Sequence, residues 1–126
     1  MIFLDTSLLI DALTGPMRST PALRGAVNAG ERILLPSLVL YEWLRGPRLP
    51  YELAAQESLF PSETAIPFGW QESALSAKLY RSLPRARGRE IDLAIAACAI
   101  TREAALWTLN PADFKDIPGL RLYRPV

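Results

Sequence analysis

"IFLDTSLLIDAL" (residues 2–13) decides the fold class. Three apolar residues, 2–4, read as a short buried strand that ends at Asp5. "SLLIDAL" then repeats apolar residues at helical spacing, with Thr6 or Ser7 in the capping position. A strand that passes at once into a helix predicts an alternating α/β chain.

Working outward, the alternation continues. "RILLP" reads as a second strand stopped by Pro36, "AIPF" (65–68) as a third, "ALWTL" as a fourth and "LRLY" as a fifth. Between them lie helical segments: "ALRGAVNAG", then "LVLYEWLRG" capped by Ser37, "YELAAQESL", "WQESALSAKLYRSL" and "EIDLAIAACAITREA". The order predicts an α/β sandwich on a short, mainly parallel five-stranded sheet flanked by helices, in a single domain over residues 1–126. Parallel sheets bind ligands outside the carboxyl ends of their strands, at a topological switch point. Asp5 and Asn110 directly follow strands and belong to that edge.

Composition narrows the chemistry. The chain has no histidine and one cysteine, which excludes histidine acid–base catalysis, Ser–His–Asp triads, disulfide frameworks and most zinc or copper sites. Cys98 reads as a small core residue. Half of the residues are hydrophobic, which leaves room for a subunit interface. The longest apolar run, 93–100, is too short to span a bilayer, and "MIFLDTSLL" lacks a basic leader, so a cytoplasmic protein without membrane attachment is expected. Almost all the basic residues are arginine, the better fork for phosphate.

What chemistry remains belongs to oxygen donors. Four carboxylates stand out, and each has a plain alternative. Asp5 can oppose a helix dipole, Glu42 can pair with Arg45 at i,i+3, and Asp92 can serve as a first-turn acid. Asp113 in "NPAD" sits three residues past Asn110, close to a capping box. Asp92, however, shares its helix face with Ile95, Ala96 and Ala99, where an unpaired charge is costly. Two acids follow strand ends and two sit near helix ends that can lean over the same edge. Like charges about 5 Å apart repel by roughly 3 kcal/mol at an effective dielectric near 20, so several such pairs force protonation or demand a cation. All-oxygen coordination suits Mg²⁺ or Mn²⁺, the usual equipment of phosphoryl chemistry.

"IFLDTSLLIDAL", "SLVLYEWLRG", "GREIDLAIAACAI" and "LWTLNPADFKDIPGLRLYRP", in that order, resemble the PIN-domain family, and more narrowly the VapC-type ribonuclease toxins of bacterial toxin–antitoxin pairs. The resemblance implies a PIN-like three-layer sandwich and an endoribonuclease dependent on Mg²⁺ or Mn²⁺. It implies metal-holding catalytic acids at Asp5, Glu42, Asp92 and Asp113, with Thr6, Ser7, Thr108 and Asn110 as supporting polar residues. It also implies an RNA substrate, a small antitoxin partner and a homodimer. Beside such a site, Arg81, Arg85, Arg87 and Arg89 become RNA-backbone contacts. A dehalogenase-like phosphatase would need an aspartate where Ser7 stands, and a receiver domain would need paired acids. The other reading that survives is a PIN fold that binds RNA or protein without turnover.

Overall fold

The computed structural model describes residues 1–125. Helices flank a four-stranded, wholly parallel sheet in the order β2-β1-β3-β4. The strands are β1 (Ile2–Leu4), β2 (Ile33–Leu34), β3 (Ala105–Trp107) and β4 (Arg121–Leu122). The expected strand at 65–68 is not one: it contributes only an isolated parallel bridge, Pro36 to Ile66. Proline removes the ladder donor at both Pro36 and Pro67, so the pairing cannot extend there.

The helices are α1 (Thr6–Leu13), α2 (Thr20–Asn28), α3 (Ser37–Arg45), α4 (Pro50–Leu59), α5 (Trp70–Ser82) and α6 (Glu90–Thr101). Buried glutamates fasten two of the helix starts. Glu52 accepts the Leu49 N–H at 2.8 Å, and Glu72 accepts the Gly69 N–H at 2.8 Å. Gly30 takes φ +87 after α2, a backbone state that L residues rarely adopt, and turns the chain toward β2.

β1 lies centrally, and all three of its residues are buried. α6 is unusual in being apolar on every side. Residues 93–99 are all buried, and the helix packs against α5, α3 and β3. Its alanines let it approach its neighbours closely, while Leu93 and Ile95 each contribute roughly 1.5–3 kcal/mol by burial. Cys98 is buried as expected, and burial pushes its thiol up to about 11, which keeps it protonated. Trp43 and Trp107 belong to the core, whereas Trp70 is 78% exposed.

The strand order sets the location of the site. β1 continues to β2 on one side, and β3 continues to β4 on the other. The switch point therefore lies between β1 and β3. Their register pairs Leu4 with Trp107, so the next residues, Asp5 and Thr108, emerge side by side at the carboxyl edge.

Candidate active site

Asp5 occupies the N-cap position of α1, yet its carboxylate makes no capping bond. Its backbone N–H donates to the Trp107 carbonyl at 2.9 Å, which holds it against the end of β3. The hydroxyls of Ser7 and Thr108 both donate to Asp5 Oδ2, at 3.0 and 2.7 Å. Those hydroxyls are oriented in turn by backbone donors, Leu109 N–H to Ser7 Oγ and Asn110 N–H to Thr108 Oγ1. One oxygen of Asp5 is thus held by two side chains from separate parts of the chain. The carboxylate is buried, but aimed.

The expected cap at Thr6 or Ser7 does not form. Asp5 takes the N-cap, so both residues already lie inside α1, and their hydroxyls donate to carboxylates within reach. Thr6 donates to Glu42 Oε1 at 2.5 Å, across 36 residues of sequence. Glu42 keeps Arg45 on its other oxygen at 3.5 Å, a long pair whose arginine side chain is mostly exposed. The surface pairing expected from spacing is real but loose. Ser37, expected as the α3 cap, is the first helical residue, and Pro36 stands at the N-cap.

Asp92 lies half-buried in the first turn of α6, and no donor among the described residues reaches its carboxylate. Burial, then the charges of Asp5, Asp113 and Glu42, push its pKa up from 3.8 to about 6, against the pull of Arg89. A helix N-terminus favours an acid by only ~0.3–1 kcal/mol. A rise of about two units, reduced by partial solvent exposure, still corresponds to about 1–2 kcal/mol in the opposite sense. The dipole explanation loses. Asp92 feels all three other acids because the fold has drawn four distant sequence positions to one edge.

Asp113 ends a short 3-10 turn, Pro111–Asp113, between β3 and β4. The capping box expected there is absent: Asn110 makes no side-chain cap bond, because a three-residue turn leaves few orphan donors to satisfy. Asn110 instead supplies its backbone N–H to Thr108, and its side chain is exposed. Arg81, Arg85 and Arg87 are exposed. Arg89 is not free: its guanidinium grips Asp116 at 2.6 and 2.9 Å and reaches the Asp113 carbonyl at 2.9 Å. Sequence reading missed Asp116 altogether. A partner 27 residues away leaves no local spacing by which to find it.

Among the described residues, no three acidic side chains stand as close together as ligands around one ion. The donor set itself suits a hard divalent cation. It consists wholly of oxygen, it is pre-aimed at Asp5 and Glu42 by hydroxyls, and Asp92 is charged only against opposition.

A family model described as "PIN domain" matches residues 2–120. The chain belongs to the PIN-domain family. Among relatives of PIN-domain size, "Ribonuclease VapC19" of Mycobacterium tuberculosis is 33% identical over 124 residues, which is 96% of this chain and 98% of that protein. "Ribonuclease VapC" of Rickettsia bellii is 44% identical over 69 residues, about half of each chain. In three dimensions the PIN fold here is similar to a chain of DNA-bound VapBC from Salmonella typhimurium. The TM-score is 0.82 at 23% identity, over 97% of this chain and 96% of that one. At that identity the likeness speaks for the fold alone.

Proposed function

We propose that this PIN-domain protein is an endoribonuclease dependent on Mg²⁺ or Mn²⁺, and the toxin of a toxin–antitoxin pair. The observation that carries the reading is Asp92. A carboxyl that burial and three other acids raise toward neutrality, and that no donor among the described residues relieves, is suited to a cation. Full-length similarity to a protein named as a ribonuclease supports the same reading.

Asp5, Glu42, Asp92 and Asp113 would hold the metal. When bound, it would make a hydroxide available near neutral pH and stabilise the leaving oxygen of the phosphodiester. The remaining work falls to the chain. Ser7 and Thr108 keep Asp5 Oδ2 engaged and so orient the carboxylate, and Thr6 does the same for Glu42. Exposed Arg81, Arg85 and Arg87 would meet the RNA backbone ahead of α6. Discrete new 5′ ends in cellular RNA after brief induction of the wild type, and none with Asp92→Asn, are expected. Identical RNA from the two, with the wild type folded and free of antitoxin, would move the weight to the binding-module reading.

A protein partner also fits the surface. A groove of about 310 Å³ between α1, α2 and α4 is lined by Leu13, Leu23, Val27, Ile33, Leu59 and Phe60. Tyr41 and Leu44 on α3 are exposed as well. Apolar surface of this kind supports an antitoxin and a homodimer as partners.

A further inference from the structure

We propose that Arg89 is a positioning residue that fixes Asp113 relative to Asp92, and that Asp116 holds Arg89 in that role. The inference rests on the nuclease reading of the acidic site. Arg89 stands at the N-cap of α6, three residues before Asp92. All four of its terminal N–H positions are used: two on the oxygens of Asp116, one on the Asp113 carbonyl at 2.9 Å and one on the Arg85 carbonyl at 3.3 Å. Arginine is suited to such a clamp because its planar fork fixes direction as well as distance.

Asp113 needs the clamp. Its turn is three residues long, without a side-chain cap, and its carboxylate repels Asp92. Below the turn, Phe114 and Ile117 are buried and anchor the segment to the core. On the α6 side, Arg89 bridges the backbone of the residue that carries one acid to the helix that carries another. An ion pair this exposed contributes little to stability, with side chains 20% and 43% accessible. Its consequence is geometric.

The sequence pattern places Arg89 among contacts to the RNA backbone, and the two roles differ in sign. Releasing Arg89 by Asp116→Asn would free a cation for RNA, tightening binding and steepening its salt dependence. If Arg89 is a tether, the same change loosens Asp113. Mn²⁺ affinity measured by calorimetry and cleavage of a fluorescent single-stranded RNA separate them, with thermal unfolding confirming that each variant is folded. Asp116→Asn and Arg89→Gln are both expected to weaken Mn²⁺ binding and lower kcat by about 10–100-fold, as for other groups that orient metal ligands. KM for RNA stays unchanged, and the double variant is no worse than Arg89→Gln. Charge alone predicts tighter Mn²⁺ binding in Arg89→Gln, which removes a cation, and weaker binding only in Asp116→Asn, so Arg89→Gln is the variant that separates the two accounts. Arg89→Lys, which keeps the charge without the fork, is expected to fall with Arg89→Gln. In the metal-free protein, Asp116→Asn is expected to speed amide exchange at Phe114 and Lys115, whose N–H groups bond to the Pro111 carbonyl. Unchanged Mn²⁺ affinity and kcat in Asp116→Asn, or full recovery in Arg89→Lys, would overturn the tether and leave the nuclease reading standing. A wild type that neither binds Mn²⁺ nor cleaves RNA would remove both.

Discussion

Replacing Asp92 with asparagine is expected to stabilise the metal-free protein. The carboxyl rises from 3.8 to about 6 on folding, so between those values the native state binds more protons than the unfolded chain. Stability contributed by this proton is fully present below about pH 4 and is lost as pH rises through about 6. At about pH 8 the wild type therefore carries an ionised, unpaired Asp92 that the variant lacks. Two units correspond to ~3 kcal/mol, and partial solvent exposure reduces this to about 1–2 kcal/mol. For a chain of this size that is a rise in Tm of roughly 3–8 °C. Urea unfolding in EDTA at about pH 8 and about pH 4 reads it, with the gap closing at the lower pH. With Mn²⁺ a hundredfold above its dissociation constant the wild type gains ~2.7 kcal/mol, and Asp92→Asn gains less, so the order narrows or reverses. Equal or lower stability of Asp92→Asn in EDTA at about pH 8 would refute the electrostatic account of the site. A gap that does not shrink toward pH 4 would do the same.

Three further outcomes test other layers of the structure. Thr108→Val keeps the shape beside β3 but removes the donor to Asp5 Oδ2 and the acceptor of the Asn110 N–H; RNA cleavage should fall by about 10–100-fold, and a melting curve run beside the assay should show a loss of about 1–3 kcal/mol with the protein still folded. Removing Arg85 and Arg87 together should flatten the dependence of RNA affinity on salt, by about 0.7 in logarithmic slope for each phosphate no longer neutralised. Titration at several salt concentrations reads that slope, and Mn²⁺ binding should not change. Ala96→Leu introduces three heavy atoms at a position with 0% exposure in α6, and should cost about 1–3 kcal/mol by denaturant unfolding.

Much of the acidic site is legible in the sequence because its residues sit at punctuation marks. Asp5 follows a wholly apolar strand, and Asp92 heads a helix with no other charge on its buried face, so both stand out against their surroundings. Glu42 is less distinct, since its spacing to Arg45 also describes an ordinary surface pair, and that pair does form at 3.5 Å. The bond that separates the two readings comes from Thr6, far away in the chain. Where local pattern misleads, local chemistry or a distant partner overrules it. The apolar stretch at 65–68 has the pattern of a strand, yet prolines limit it to one bridge. Thr6 and Ser7 have the chemistry of helix caps, yet the helix starts at Thr6 with Asp5 at the N-cap, and their hydroxyls donate to carboxylates.

The order of elements, the buried character of α6, the all-oxygen chemistry and the identity of the acids are properties of the sequence. They depend on periodicity, composition and chain punctuation, which act over a few residues. Which strands neighbour each other is not such a property. Placing β1 beside β3 creates the switch point, brings Thr108 to Asp5 across 103 residues and sets Asp113 within electrostatic reach of Asp92. The same packing turned Arg89 onto Asp116. Tertiary structure alone decided those contacts, because charge and hydrogen bonding depend on distance in space, and sequence separation does not report it.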